Sequence, residues 1–490
     1  MTPVPRDRGA PYAQAVADNA AQDQLRLNVP GHSADAGSAP ELIEFFGEDT
    51  VRKDISPLLG GVDLGPDNPL SRATALAAEA WGARRTWFLT NGASQANRMG
   101  ALVFGALGGP LQQVVVQRSA HSSFIDGIIL AGLTPAFAQP LIDDRYGIAH
   151  GLSPRELARV LAATNDPKGV YVVTPSYFGA VADVAALAEV AHAAGVPIMV
   201  DEAWGAHFGF HEDLPANALS RGADLVVSST HKLGGSLTQS AMLHLGDGPF
   251  GDALEPLVQR ALMITMSTSP SSLLLSSLDI ARQSLQTGWD RIGASIAAAE
   301  RIRTRVRDAG VFGIVSDTWD FEEIVATDPL RVSIDVRRAG FNGHAVREEL
   351  MRTEGIYTEI STDSCIVAFL GPGYEPDVDR FVDALHRLEP VGRLAYADTH
   401  ALPLPHFGRP SMRPRDAWFS PAVTIGAREA VGRVSADTLA AYPPGIPNLL
   451  PGEIITAEVV DFLRTVAASP GGHVRGAIDP AVDRLRVVEN

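Results

Sequence analysis

Two neighbouring stretches decide the fold: VPIMVDEAWGAHFGFH (Val196–His211) and DLVVSSTHK (Asp224–Lys232). Each opens with a short, continuous apolar run and closes on a cluster of polar and ionisable residues. An apolar run without alternation reads as a strand buried on both faces, as in a parallel sheet covered by helices. The pattern recurs upstream in WFLT (Trp87–Thr90), QVVVQ (Gln113–Gln117) and VYVVTP (Val170–Pro175). Between these runs lie alanine-rich stretches such as VADVAALAEVAHAAG (Val181–Gly195), with apolar residues at helical spacing. Strands alternating with helices predict an α/β, doubly wound domain from about Gly60 to Leu245.

Beyond it, a Ser-, Leu- and Ala-rich helical stretch runs from about Pro270 to Ala309. LRVSIDV (Leu330–Val336), GIYTEIS (Gly355–Ser361) and CIVAFLG (Cys365–Gly371) then read as strands, with a helix at about Gly343–Thr353. The expected division is an N-terminal segment at 1–55, a large domain at 56–325 and a smaller α+β C-terminal domain at 326–490. A chain of 490 residues fits two or three domains. The first twenty-odd residues, small, polar and Pro-containing, are expected to be disordered or to form an arm on a partner subunit. A Pro-rich stretch at 402–415 and the turn-dense YPPGIPNLLPGE (Tyr442–Glu453) precede a last helix.

Composition narrows the function classes. The chain is 46% hydrophobic and 20% charged, with a net charge of −17. That charge disfavours nucleic acid as a partner, and no basic run opposes it. No stretch approaches the roughly 20 apolar residues of a membrane helix, and the N-terminus lacks the apolar core of a signal peptide. The single cysteine, Cys365, excludes an internal disulfide and argues against a multi-thiolate metal site. A cytoplasmic protein without a metal centre is expected.

Ligands of α/β sheets sit at the carboxyl ends of strands, and four polar clusters fall there. Thr90–Gln95 is a small-residue turn opening a helix, which suits a phosphate or, more plainly, an N-capped helix with Ser94 as the cap. Arg118–Ser123 contains His121, which could stack on a flat ligand, act as an acid or base, or simply cap a helix. Asp201–His207 offers a carboxylate that could bind metal, act as a base, pair with a protonated ring nitrogen or cap a helix. Ser228–Lys232 places a lysine beside a histidine and hydroxyls, where burial would lower its pKa and make it a Schiff-base nucleophile. A solvated loop lysine is the alternative. Taken together, a phosphate cradle, a stacking ring, a carboxylate and a lysine are the parts that a pyridoxal 5'-phosphate site requires. Asp201 and Lys232 lie 31 residues apart, room for one helix and one strand between adjacent sheet edges.

The segments FLTNGASQAN, VDEAWGAHFGFH and STHKLGGSLTQSAML resemble the bacterial ornithine/lysine/arginine decarboxylases of the aspartate-aminotransferase fold (fold type I). LNVPGH (Leu27–His32), LGGVDLGPDNPL (Leu59–Leu70), TPSYFG (Thr174–Gly179) and YPPGIPNLLPGE extend the resemblance in the same order along nearly the whole chain. It implies a mostly parallel seven-stranded sheet and a pyridoxal-phosphate enzyme. Lys232 would hold the cofactor as a Schiff base and Asp201 its pyridine nitrogen. Ala203 would pack on one ring face and His121 on the other. Gly92, Ala93 and Ser94, helped by Ser229 and His231, would hold the phosphate, and Trp204 would shape the wall. Ala93 stands where the family often has threonine. The acid-induced enterobacterial members carry a further domain before the PGH motif. Here that motif begins at Pro30, so the short form is expected, without the large decameric assembly.

The resemblance further implies loss of CO2 from a basic amino acid, with His231 or Lys232 as candidate proton donors to Cα. Such substrates end in a cation, and Glu453 is the candidate carboxylate for it; a helix-start glutamate is the alternative. The short architecture favours arginine, then lysine or ornithine. A different reaction on the same scaffold, transamination or oxidation, and a non-catalytic relative are the competing expectations. Fold type I sites lie between subunits, so at least a homodimer is expected.

Overall fold

The computed structural model describes residues 9–109, 112–395, 405–406, 408–442, 446–469 and 472–489. Residues 1–8 of the expected arm, 402–404 and 407 of the Pro-rich stretch, and Pro443–Gly445 of the YPPGIP segment lie outside the described residues. Seven strands form the central sheet: β1 (Arg85–Leu89), β2 (Gln113–Gln117), β3 (Thr134–Ala138), β4 (Pro167–Val173), β5 (Ile198–Asp201), β6 (Leu225–Ser228) and β7 (Ala241–Leu245). Their spatial order is β1-β7-β6-β5-β4-β2-β3. Only β7 runs antiparallel to its neighbours. The apolar runs are the strands. Val170, Val172, Ile198, Val200 and Val226 pack under one helical layer, and Tyr171, Met199, Leu225 and Val227 under the other. Alternate side chains of each strand thus face opposite layers, which is why the runs show no polar alternation.

Between β5 and β6 there is no helix, only a loop and the 3-10 turn Ala218–Arg221. The 31-residue spacing is instead taken up by the loop that carries Trp204 and His207. The two strands still pair directly and in parallel, Asp201 opposite Val227. The polar clusters after them therefore meet at one sheet edge.

Helix Ser122–Ala131 crosses helix Gly92–Ala106 closely, because Gly127 has no side chain. A Cβ there would stand 2.7 Å from Ala101 Cβ and 3.0 Å from Arg98 Cα. Gly127→Ala should therefore lower the urea midpoint, since overpacking costs ~1–3 kcal/mol against a helix-propensity gain of ~1 kcal/mol. An unchanged or raised midpoint would contradict this contact.

The smaller sheet is antiparallel: β8 (Gly313–Ile314), β9 (Arg331–Asp335), β10 (Ile360–Ser361) and β11 (Cys365–Phe369), in the order β8-β9-β11-β10. Helix Gly343–Glu349 packs against it and ends in a wider turn at Leu350–Glu354. Residues 422–488 add a separate apolar core around Leu439, Leu449, Val459, Leu463 and Val487. There the strand Leu439–Tyr442, which leads into the turn-dense segment, pairs with Ile446–Leu449 within it.

Of the two expectations for the first residues, disorder is corrected over 11–20. Pro11–Ala20 is a helix whose Tyr12, Val16 and Ala20 are buried at four-residue spacing. Asp279 accepts from the Tyr12 backbone N–H at 2.9 Å. No helix among the described residues is long and apolar enough to cross a membrane.

Candidate active site

The carboxyl ends of β1, β2, β5 and β6 open onto a cavity of about 830 Å³. Its lining includes Gly92, Ala93, Ser94, His121, Asp201, Ala203, Trp204, Ser229, His231 and Lys232. Because β7 is antiparallel, Thr238 and Gln239 enter at this edge too. The far wall is Arg347 and Tyr357–Ile360 of the smaller sheet region, with His473. Every residue singled out for the cofactor is thus brought together; Glu453 is not.

Helix Gly92–Ala106 starts at the cavity, and Asn91 before it makes no side-chain capping bond. Ser94 lies inside the first turn rather than capping it, so among the described residues no side chain caps the turn, whose positive helix end lies at the cavity. Gly92 has a φ of +73°, which only glycine adopts without strain.

Asp201 is buried at the end of β5. Its Oδ2 accepts from Tyr171 Oη at 2.6 Å and Asn97 Nδ2 at 2.8 Å, and its Oδ1 from the Ala203 N–H at 3.1 Å. Asn97 Nδ2 also donates to Ser123 Oγ at 3.0 Å. Ser123 Oγ in turn lies 2.7 Å from His121 Nδ1, which accepts the Ser123 N–H at 3.2 Å. That pattern leaves His121 Nδ1 unprotonated and places its hydrogen on Nε2. Burial lowers the His121 pKa, against the pull of Asp201. His121 also caps the helix Ser122–Ala131, the capping alternative read from the sequence.

Lys232 sits in the short helix Thr230–Leu233 after β6. Its Nζ lies 3.9 Å from the centroid of the Trp204 ring. Burial brings its pKa down to about 8, with Asp201 opposing the fall and Arg331 adding to it. Arg331 lies against the same ring at 4.3 Å and donates to the Tyr177 carbonyl at 3.0 Å. Beneath it Asp328 accepts from His207 Nε2 at 3.1 Å. His231 Nδ1 is 3.0 Å from the Ser240 carbonyl. A carbonyl only accepts, so His231 carries its hydrogen on Nδ1, and burial lowers its pKa.

Glu453 requires a correction. It is neither on the cavity nor at a helix start, since the last helix begins at Ala457. Its carboxylate is buried, 3.3 Å from Arg118 Nη2 through both oxygens, and accepts the Leu450 N–H at 2.9 Å. A carboxylate committed in this way has no room for a substrate cation. Among the described residues, the carboxylate that does line the cavity, besides Asp201, is Glu359.

Residues 10–377 match the family "Orn/Lys/Arg decarboxylase, major domain", and residues 404–471 match "Orn/Lys/Arg decarboxylase, C-terminal domain". The chain is 34% identical over 487 residues to the arginine decarboxylase of Bacillus subtilis, covering 98% of each. It is also 34% identical over 494 residues to that of Halalkalibacterium halodurans, covering 99% of this chain and 98% of the relative. The structure of the constitutive lysine decarboxylase of Escherichia coli superposes with a TM-score of 0.81 at 21% identity, over 98% of this chain and 82% of that one. Lysine decarboxylase A of Pseudomonas aeruginosa gives 0.82 at 19%, over 98% and 80%.

Proposed function

As this chain belongs to the Orn/Lys/Arg decarboxylase family, we propose that it decarboxylates a basic amino acid, arginine first, using pyridoxal phosphate held at Lys232. One observation carries this reading. A lysine of lowered pKa, a buried carboxylate and a helix N-terminus line a single cavity.

The residues present fit that cofactor. Asn91–Ser94 and the first turn of Gly92–Ala106 would take its phosphate, with Ser229 and His231 beside them. The small Ala203 and the flat His121 would bracket its ring, and Asp201 would hold the ring nitrogen. Trp204 Nε1 and Asn97 Oδ1, both buried and without a hydrogen-bond partner among the described residues, mark the walls as polar sites. When bound, pyridoxal phosphate supplies an electron sink for the pair left on Cα as CO2 departs.

The chain's own part is to orient and to move protons. Asp201, fixed by Tyr171, Asn97 and the Ala203 N–H, would hold the ring nitrogen with a carboxylate already set in one orientation. His231 has its one hydrogen committed to Ser240, so its Nε2 offers only a lone pair. The proton delivered to Cα is therefore assigned to Lys232 Nζ, which with a pKa of about 8 both holds and releases a proton near neutrality.

A substrate ending in a cation calls for a carboxylate in the cavity. Asp201 is engaged by three donors, whereas the Glu359 side chain makes no hydrogen bond among the described residues. Its charge instead reaches Lys232, His231 and Arg331. Glu359 thus replaces Glu453 as the reader of the distal cation. Glu359→Gln should raise KM for the preferred amino acid ~10- to 100-fold, the value of a hydrogen bond to a charge, and leave kcat within about threefold. Steady-state kinetics decide this; an unchanged KM would sink the assignment.

Arg347, which also lines the cavity, favours a second reading. An arginine that grips the α-carboxylate suits an aminotransferase, whose product would be a keto acid without CO2. The exposed Leu25, Leu27, Val29, Phe45 and Leu58 support assembly as at least a homodimer.

A further inference from the structure

We infer that residues 422–488 act as a clamp that positions His121, through two contacts that grip its loop from either side. This rests on the proposed role of His121 against the cofactor ring.

The loop between β2 and helix Ser122–Ala131 is only Arg118–His121. On its N-terminal side, Arg118 points away from the cavity into the C-terminal core. Arg118 Nη1 donates to the Pro447 carbonyl at 2.6 Å, and Nη2 lies 3.3 Å from both oxygens of Glu453. The two side chains are 1% and 4% exposed. The guanidinium also lies 5.0 Å from the Phe137 ring centroid on β3. Glu453 is in turn fixed by the Leu450 N–H, and its own carbonyl accepts from Ser435. On the C-terminal side, Arg475 Nη1 donates to Ser122 Oγ at 2.7 Å. Arg475 belongs to the strand that begins at His473, itself on the cavity wall.

His121 thus stands between two points held from a unit with its own core. Its hydrogen-bonded chain through Ser123 and Asn97 ends on Asp201. A sub-ångström shift of the loop would therefore move both a ring-stacking group and a hydrogen-bond partner of Asn97. A buried ion pair is weak evidence of stabilisation, because the desolvation cost offsets the Coulomb gain. What such a pair supplies here is a single geometry, since Arg118 satisfies Glu453 and Pro447 in one orientation only. Arg118 and Glu453 are on this account positioning residues, not catalytic ones, and the PGE motif serves the loop rather than the substrate.

The test uses two variants of the full chain. Arg118→Met with Glu453→Leu replaces the pair by apolar groups and leaves no buried charge unpaired. Arg475→Met removes an exposed guanidinium and keeps its stem. Hydrogen–deuterium exchange is measured in the cofactor-free protein, then PLP affinity by fluorescence titration. In both variants the amides of residues 119–123 should exchange about tenfold faster, while those of β5 and β6 stay at wild-type rates. PLP affinity should fall about tenfold in both, and Arg475→Lys should restore both values. Wild-type exchange at 119–123 in both variants would overturn the clamp, whatever the protein does with PLP. Faster exchange with unchanged PLP affinity would overturn it as well, since the loop would then be held for no purpose of the site. Wild-type protein that binds no PLP would instead refute the cofactor reading, and the exchange data would still decide the clamp.

Discussion

Lys232→Ala should yield a folded protein with at least about 10³-fold lower turnover and no visible absorbance band after incubation with pyridoxal phosphate. Lys232 Nζ lies against Trp204 at the sheet edge, with burial holding its pKa near 8. Such an amine exists partly in its neutral, nucleophilic form at physiological pH, unlike an exposed lysine at ~10.4. Truncation to alanine removes that nucleophile and the proton assigned to Cα. It leaves Asp201 bonded to Asn97, and Asn97 linked through Ser123 to His121. The backbone is not at risk, because the Lys232 N–H bonds to the Ser229 carbonyl whatever the side chain. Far-UV circular dichroism and CO2 release together check this. Substantial CO2 release from the folded variant would refute the role given to Lys232.

The second large effect is expected from Asp201→Asn. The amide keeps an oxygen for Tyr171 and Asn97, so it tests charge separately from hydrogen bonding. Loss of the carboxylate that would hold the ring nitrogen should lower kcat about 10²- to 10³-fold at saturating cofactor, the scale of a preorganised electrostatic contact. A second readout follows from the same charge. Asp201 raises the Lys232 pKa by stabilising the ammonium, so its neutralisation favours the free amine. The pH midpoint for cofactor uptake should therefore move from about 8 to a lower value in Asp201→Asn. A midpoint that stays put or rises would contradict the coupling of the two groups.

The sheet was legible because its strands are apolar on both faces. VYVV, VPIMV and DLVV could not bury those side chains unless helices covered both sides. The residues at the strand ends were legible for the complementary reason, since polar groups after buried strands have nowhere to go but the sheet edge. Tertiary pairings were not legible. Arg118 and Glu453 are 335 residues apart, and nothing local to PGE distinguishes a buried, paired glutamate from one awaiting a substrate. Glu359 was hidden inside a stretch read as a strand, where only the fold shows that it lines the cavity. Asn97 and Tyr171 were missed because each looks like ordinary helix or strand interior. Their signal was a single polar group in an otherwise apolar context. Pro11–Ala20 was misread because small residues mask the Tyr12–Val16–Ala20 stripe that buries it.

The reaction itself can be read directly. Purified protein loaded with pyridoxal phosphate would be incubated separately with arginine, lysine and ornithine, with CO2, amine and keto acid all quantified. CO2 and the corresponding amine should appear in equal amounts, fastest from arginine. A keto acid without CO2 would contradict the account and shift the assignment to transamination or oxidation, with Arg347 as the carboxylate grip.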